Sequence, residues 1–176
     1  MCWFLGEDEK QNGAIDALQN LVTFVTPGHG LLDTGAGKAI IGRIALKALG
    51  HRLQKAGLAY VWVPRSWWSH VPKASGVGGS GTVIGIALVP ITIAGRQGVV
   101  EFTVLEEDVP PLIPNALLCS LSAVIDLSSS TLRIGSSVQP LTVFPSKHVA
   151  VPMVPSRRVV FTVPRVVLDR YPQLNV

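Results

Sequence analysis

The residue best placed to do chemistry is Asp33, in the segment Leu31-Leu32-Asp33-Thr34-Gly35-Ala36. It follows apolar residues typical of a buried strand, and the Thr-Gly pair after it indicates a turn. An Asp in such a place is costly to remove from water unless its surroundings pair it or use it. Asp33 is therefore the first candidate for a functional site.

Two neighbouring carboxylates can carry out acid–base catalysis that a single carboxylate cannot. At about 3 Å two carboxylates cannot both ionise, so they share a proton and supply an acid and a base together, and they activate water without a metal. No second Asp precedes Thr or Ser and then Gly, since Asp16 is followed by Ala and Asp126 by Leu. We therefore expect the partner of Asp33 to be Asp33 of a second copy, in a twofold homodimer.

Two other glycine motifs lack their required context. The segment 76–81, GVGGSG, matches G-x-G-x-x-G, but a β-like segment follows it where a dinucleotide site needs a helix. The segment 35–38 imitates a P-loop, but Leu32 replaces its first Gly and Ala39 its Ser or Thr. We interpret 76–81 as the mobile tip of a hairpin.

The sequence predicts no metal site and no cofactor. Cys2 and Cys119 are too far apart for a disulfide framework, and the His residues at 29, 51, 70 and 148 lack ligand spacing. The acidic run 106–108 is predicted to be a solvated turn.

The elements around Asp33 can be predicted from periodicity. Strands are expected at 21–26 and 30–32. Between Lys38 and Ala56 the apolar residues recur at helical spacing, with Gly57 as the C-cap. The apolar residues of that predicted helix are Ile41, Ile44, Ala45, Ala48, Leu49 and Leu53.

The rest of the chain is predicted to be mainly β. A strand is expected at 58–63, with Trp67 and Trp68 on opposite faces of the extended segment after it. The further predicted elements are a hairpin of 82–93 and 99–105 around a turn at 95–98, a helix at 115–121 started by Asn115, a hairpin of 123–127 and 131–134, and edge strands at 161–163 and 166–168.

Composition favours one domain with tails. The chain has 176 residues, of which 48% are hydrophobic, enough for one core. We predict an N-terminal extension at 1–20, the domain at 21–138 and a basic Pro/Val-rich extension at 139–176. Charged residues make up only 15% against about 25% in typical domains, so apolar surface is expected to meet a partner.

Charge and hydropathy restrict the partners. The net charge of +4 comes from the C-terminal extension, whose five basic residues lie mostly among Val and Pro with few aromatics, so nucleic-acid binding is not favoured. The acidic run 7–9 argues against a signal peptide, and the apolar stretch 83–94 is far shorter than the ~18 residues of a membrane span. We expect no membrane partner and an intracellular protein whose compartment is otherwise unknown.

In their order, these parts resemble a retropepsin-like aspartic protease domain, the type found in retroviruses and retrotransposons. The resemblance covers about residues 20–135. Its parts are Leu32-Asp33-Thr34-Gly35-Ala36, the glycine hairpin at 76–81, the strand pair 83–105, Pro111-Leu112-Ile113, the helix at 115–121, and Ala123-Val124-Ile125-Asp126-Leu127. It implies an all-β acid protease fold with one or two short helices, a closed β-barrel, and one helix inserted after the Asp-Thr-Gly loop.

The resemblance also implies an activity. Asp33 would belong to a homodimeric aspartic endopeptidase that cleaves polypeptides, for example a retroelement polyprotein. Thr34 would hydrogen-bond across the dimer axis, Gly35 would let the substrate backbone approach, and the glycine hairpin would close as a flap. The implied substrate-binding residues are Leu32, Ala36, Gly76, Val77, Gly78, Gly79, Ile84 and Ile113.

Three departures leave alternatives open. Gly37 and Lys38 stand where many retropepsins have acidic residues, Pro114 follows Ile113 where a Gly is usual, and the helix at 38–56 is longer than expected. The main alternative is a catalytically inactive retropepsin-like module for dimerisation or peptide binding. Another is a structural β protein in which two copies of Asp33 never meet.

Overall fold

The computed structural model describes residues 25–68, 71–76 and 79–174. This part of the chain is mostly β, as predicted, but it has three α-helices where one or two were expected. The helices are α1 (Arg43–Lys55), α2 (Asn115–Ser120) and α3 (Arg165–Arg170). The strands are β1 (His29–Asp33), β2 (Ile40–Gly42), β3 (Val61–Trp62), β4 (Ala74–Gly76), β5 (Gly79–Gly81), β6 (Val83–Ile93), β7 (Arg96–Leu105), β8 (Leu112–Pro114), β9 (Ala123–Asp126), β10 (Thr131–Ile134), β11 (Ser137–Pro140), β12 (Thr142–Val143) and β13 (Val149–Pro152).

Eight strands form the main sheet, in the order β12-β13-β1-β8-β2-β7-β6-β3. Strands β9 to β11 form a second sheet, and β4 pairs with β5. Within the described residues the main sheet ends at β12 and at β3. The predicted closed barrel is therefore not confirmed.

The strand that ends in Asp33 lies inside the main sheet. It pairs in parallel with β8 and antiparallel with β13, so both of its backbone edges are hydrogen-bonded. A Cβ atom on Gly30 would lie 2.6 Å from Sδ of Met153 and 2.8 Å from Cγ1 of Ile113. The absence of a side chain at Gly30 thus allows the neighbouring side chains to close over β1.

Helix α1 starts later than predicted. Ile40–Gly42 is not helical but forms β2, which pairs in parallel with β7, and the Gly42 N–H donates to the Val109 carbonyl at 2.7 Å. These long-range bonds outweigh the helical spacing of the local sequence. The face also differs from the prediction, because Leu46 is buried whereas Ile44 is 56% exposed.

The end of α1 confirms the predicted C-cap. Gly57 has φ of +78°, its N–H donates to the Gln54 carbonyl, and the Leu58 N–H donates to the Leu53 carbonyl. These two bonds form a Schellman motif, which favours glycine at the left-handed position.

The long hairpin of β6 and β7 is present, but its turn is earlier than predicted. Ala94 and Gly95 both have positive φ and form the two-residue connection, whereas Arg96 already belongs to β7. Such a pair of left-handed residues fits the right-handed twist of a hairpin.

Some predicted elements are absent or lie elsewhere. Most of the strand predicted at 21–26 lies outside the described residues, and Val25 and Thr26 are not in a strand. Only Val61–Trp62 of the strand predicted at 58–63 is extended in a ladder. Helix α2 begins at Asn115 after Pro114 as its N-cap, so Asn115 is not the cap.

Parts of the segment 139–176 pack into the main sheet and its core, although the sequence predicted an extension there. Strand β13 is almost fully buried and pairs with β1. The edge strands predicted at 161–163 and 166–168 are wrong, because the first segment is irregular and the second lies in α3. Tyr171, just after α3, is 5% exposed and packs with Val63, Ile86 and Leu88. The domain boundaries themselves stay a prediction.

Among the described residues no helix combines the length and the apolar character needed to cross a membrane.

Candidate active site

Asp33 is the last residue of β1, where the sheet gives way to an exposed loop. Its Cα is paired with that of Pro114, and the preceding pair joins Leu32 to Ile113. Leu32 is 9% exposed and Ile113 is fully buried, whereas Asp33 itself is half-buried. A rigid, hydrogen-bonded strand thus holds a carboxylate at the boundary between core and solvent.

The turn after Asp33 donates hydrogen bonds to one oxygen of the Asp33 carboxylate. Oδ1 accepts the N–H of Gly35 at 2.9 Å and the N–H of Ala36 at 3.1 Å. The Ala36 N–H also lies 3.2 Å from the Asp33 carbonyl oxygen. This Asx turn fixes the rotamer of the side chain. Among the described residues, no group donates a hydrogen bond to Oδ2.

The other residues of the tripeptide are at the surface. Thr34 and Gly35 are exposed and Ala36 is half-buried. A Cβ atom on Gly35 would meet only Oδ1 of Asp33, at 3.3 Å. The loop therefore has an open outer side that a second molecule can approach. The predicted bond of Thr34 across a dimer axis stays a prediction.

The predicted pocket residues have different surroundings. Ile84 is half-buried at the start of β6, whereas Ile113 belongs to the main core. Their predicted role in substrate binding is not tested by these positions.

The glycine hairpin is present as β4 and β5. Gly76 pairs with Gly79 and Ala74 with Gly81, while Val77 and Gly78 lie outside the described residues. No hydrogen bond joins the described residues of this hairpin to the Asp33 turn.

The root of the hairpin is held by a residue that sequence reasoning missed. Glu107 accepts the Thr82 N–H, at 2.8 Å to Oε1 and 3.0 Å to Oε2, and these bonds lower its pKa. The Glu106 N–H returns a bond to the Thr82 carbonyl at 3.0 Å. The acidic run 106–108 therefore also anchors the root of the hairpin, through Glu107. The sequence carried no local signal of this contact, because the partners are far apart along the chain.

Most of the other described carboxylates accept a hydrogen bond or form an ion pair away from the Asp33 turn. These pairs are Glu101 with Tyr171 and Arg170, Glu106 with Arg43, Glu107 with Thr82, Asp126 with Ser128 and Ser129, and Asp169 with Arg165.

In the described part of the chain, no group of three or more His, Cys, Asp or Glu residues is arranged to hold a metal ion. The chemistry available at Asp33 is that of a carboxylate held by backbone N–H groups.

Comparisons with known proteins find likenesses only among solved structures, one of which is a protease-like domain. No family model matches the chain, and no curated protein sequence matches it. The retroviral protease-like domain of Ddi1 from Leishmania major, known from a crystal structure, aligns with a TM-score of 0.41 and 18% identity. The alignment covers 75% of this chain and 96% of that domain. A likeness of this degree carries no argument about the function of this chain.

Proposed function

We propose that this chain is a retropepsin-like aspartic endopeptidase that acts as a homodimer, with one Asp33 from each copy. The observation that carries the proposal is the placement of Asp33. The carboxylate stands at the end of an interior strand, its own turn holds Oδ1, and Oδ2 accepts no bond from the described residues.

This geometry suits a shared-proton pair. The Gly35 and Ala36 N–H groups orient each carboxylate without neutralising it, and the strand keeps its position fixed. When two such turns meet, one carboxylate is ionised and takes a proton from water, while the other is protonated and donates to the carbonyl oxygen of the substrate. Attack by the water gives a tetrahedral intermediate, and transfer of the proton taken from the water to the amide nitrogen then lets the amine leave, so the peptide bond breaks without a covalent enzyme intermediate.

The surface of the turn favours the approach of a second copy. Gly35 carries no side chain and Thr34 is exposed, so nothing bulky on these residues keeps two loops apart. The low charge content agrees with burial of part of the surface in a dimer. Pairing about a twofold axis places identical residues opposite each other, which a shared-proton pair requires.

The proposed substrate is an extended polypeptide, and polyprotein processing in a retroelement is the proposed setting. The β4–β5 hairpin would close over the substrate, exclude water and bond to its backbone. Ala36, Ile84 and Gly76–Gly79 would line this groove.

The test uses a matched pair of variants. Asp33→Asn keeps an oxygen that can accept the bonds of the turn but removes the ionisable group, whereas Asp126→Asn makes the same change in a similar turn elsewhere. We expect the wild type to cleave apolar peptides best at acidic pH and to be inhibited by pepstatin. Asp33→Asn should lose about 10³-fold in kcat/KM, a typical contribution of general acid–base catalysis, and Asp126→Asn should lose almost none.

Sedimentation supplies the second measurement. The wild type and Asp33→Asn are both expected to be dimers. Equal activity of the wild type and Asp33→Asn would refute the proposal. A stable dimer that binds peptides but cleaves none would instead identify a binding module.

A further inference from the structure

A cavity lies at the opposite end of the strand that carries Asp33. Its volume is about 250 Å³, and His29, the first residue of β1, lines it. With a strand rise of about 3.3 Å per residue, His29 and Asp33 are roughly 13 Å apart along β1. The cavity is therefore separate from the proposed active site.

The lining of this cavity is positively charged. Arg52 and Lys55, from the last turn of α1, line it together with the hydroxyl-bearing residues Thr26 and Ser156. Of the described residues that line the cavity, none is acidic. The two cations also favour the C-terminal end of the α1 dipole, but they form no ion pair with any described carboxylate.

His29 is half-buried and adds its imidazole to the lining of this cavity. Burial lowers the pKa of His29, the Thr26 backbone opposes this shift, and the positive charge of Arg52 reinforces it.

We propose that this cavity binds a tetrahedral oxyanion, a phosphate group, between Arg52, Lys55 and His29. The guanidinium and ammonium groups supply charge-assisted donors, and the imidazole and the two hydroxyl-bearing residues complete the hydrogen bonds. The bound anion offsets the repulsion between the two cations. The site does not depend on the proposed protease activity.

The first test titrates the full chain with inorganic phosphate by calorimetry. We expect Arg52→Gln and Lys55→Gln each to weaken binding by about tenfold or more, the usual effect of losing a charge-assisted bond. The control is Lys47→Gln, which makes the same charge change as Lys55→Gln on an exposed part of the same helix outside the cavity. Absence of millimolar binding by the wild type, or an equal loss in all three variants, would overturn the proposal.

A second arm identifies the source of the phosphate. Free phosphate is compared with a phosphoserine tetrapeptide and with its unphosphorylated form. Tighter binding of the phosphopeptide assigns the site to phosphorylated polypeptides, and equal binding of phosphate and phosphopeptide assigns it to the free anion. Equal binding of the two peptide forms would contradict the proposal.

A third arm uses pH, with sulfate as the probe because it keeps its charge from pH 5 to 8. The charged groups that line the cavity with His29 are Arg52 and Lys55, both on α1. Bound sulfate favours the imidazolium form of His29, so its affinity should rise as the pH falls. In His29→Gln this dependence should disappear, and its persistence would count against the role of His29.

Discussion

Two aspartates in this chain sit in nearly identical turns and yet differ in what they can do. Oδ1 of Asp33 accepts backbone N–H bonds of 2.9 and 3.1 Å from the residues two and three positions later. Oδ1 of Asp126 accepts the corresponding bonds, at 2.9 and 3.2 Å, from Ser128 and Ser129. The backbone hydrogen bonds to the two carboxylates are therefore nearly the same.

The difference lies in the side chains and the supporting strand. The Ser128 hydroxyl adds a 2.6 Å bond to Asp126, and the hydrogen bonds from Ser128 and Ser129 lower the pKa of Asp126 to about 2. Gly35 occupies the equivalent position after Asp33 and has no hydroxyl to offer. Asp33 also ends an interior strand, whereas Asp126 ends an exposed edge of a small sheet.

An Asx turn alone does not make a carboxylate functional. A general base needs a carboxylate that can still take up a proton in the working pH range. In the Asp126 turn, serine hydroxyls hold the carboxylate in its ionised form. In the Asp33 turn, Gly35 brings no hydroxyl, and Oδ2 accepts no hydrogen bond from the described residues.

The largest expected effect concerns the strands that support the two turns. Ile113→Ala removes a fully buried side chain from β8 beside Asp33, and should lower the free energy of unfolding by about 3 kcal/mol. Val124→Ala changes a 46% exposed residue on β9, and should cost about 0.5 kcal/mol or less. Urea unfolding of both variants measures the contrast. Similar losses would mean that the two turns have equally rigid supports.

The next effect tests the missing hydroxyl. Gly35→Ser gives the Asp33 turn the donor that Ser128 gives the other turn, and the new Cβ would meet only Oδ1 of Asp33. We expect kcat/KM of the proposed protease to fall about tenfold to hundredfold, because one charge-assisted bond favours the ionised carboxylate. Gly35→Ala is the control, since it adds the same Cβ without the hydroxyl. An equal fall in the Ala variant would show that space, not hydrogen bonding, is decisive.

The smallest effect is the pH response of Asp126. A carboxylate with a lowered pKa in the folded state stabilises the fold above its unfolded value, and this contribution is lost as the pH falls through the folded value. For Asp126 the window runs from about 4 down to about 2. Ser128→Ala should raise the pKa of Asp126 toward its ordinary value, as followed by carboxyl carbon NMR. If the pKa of Asp126 is unchanged in this variant, the Ser128 hydroxyl is not the cause of its low value.

Local patterns predicted the features that depend on near neighbours. The turn after Asp33, the C-cap at Gly57 and the β6–β7 hairpin each involve residues close in sequence, and the structure contains all three. The resemblance that pointed to Asp33 rested on the order of such parts.

The misjudged features depend on distant partners. Ile40–Gly42 looked helical because its apolar residues continue the spacing of α1, but pairing with β7 makes it a strand. Val149–Pro152 lacked any periodic signal, and its burial comes from pairing with β1 and β12. The anchoring role of Glu107 depends on Thr82, which no short window connects to it.

The pairing of β1 with β13 also sets the order in which this protein can mature. His29 is paired with Pro152, about 120 positions later, so one edge of the Asp33 strand stays open until β13 has been synthesised. Such distant pairing closes a long loop and is slow to form. A growing chain would therefore carry Asp33 on an unfinished sheet, and β1 would gain its second paired edge only after β13 has left the ribosome.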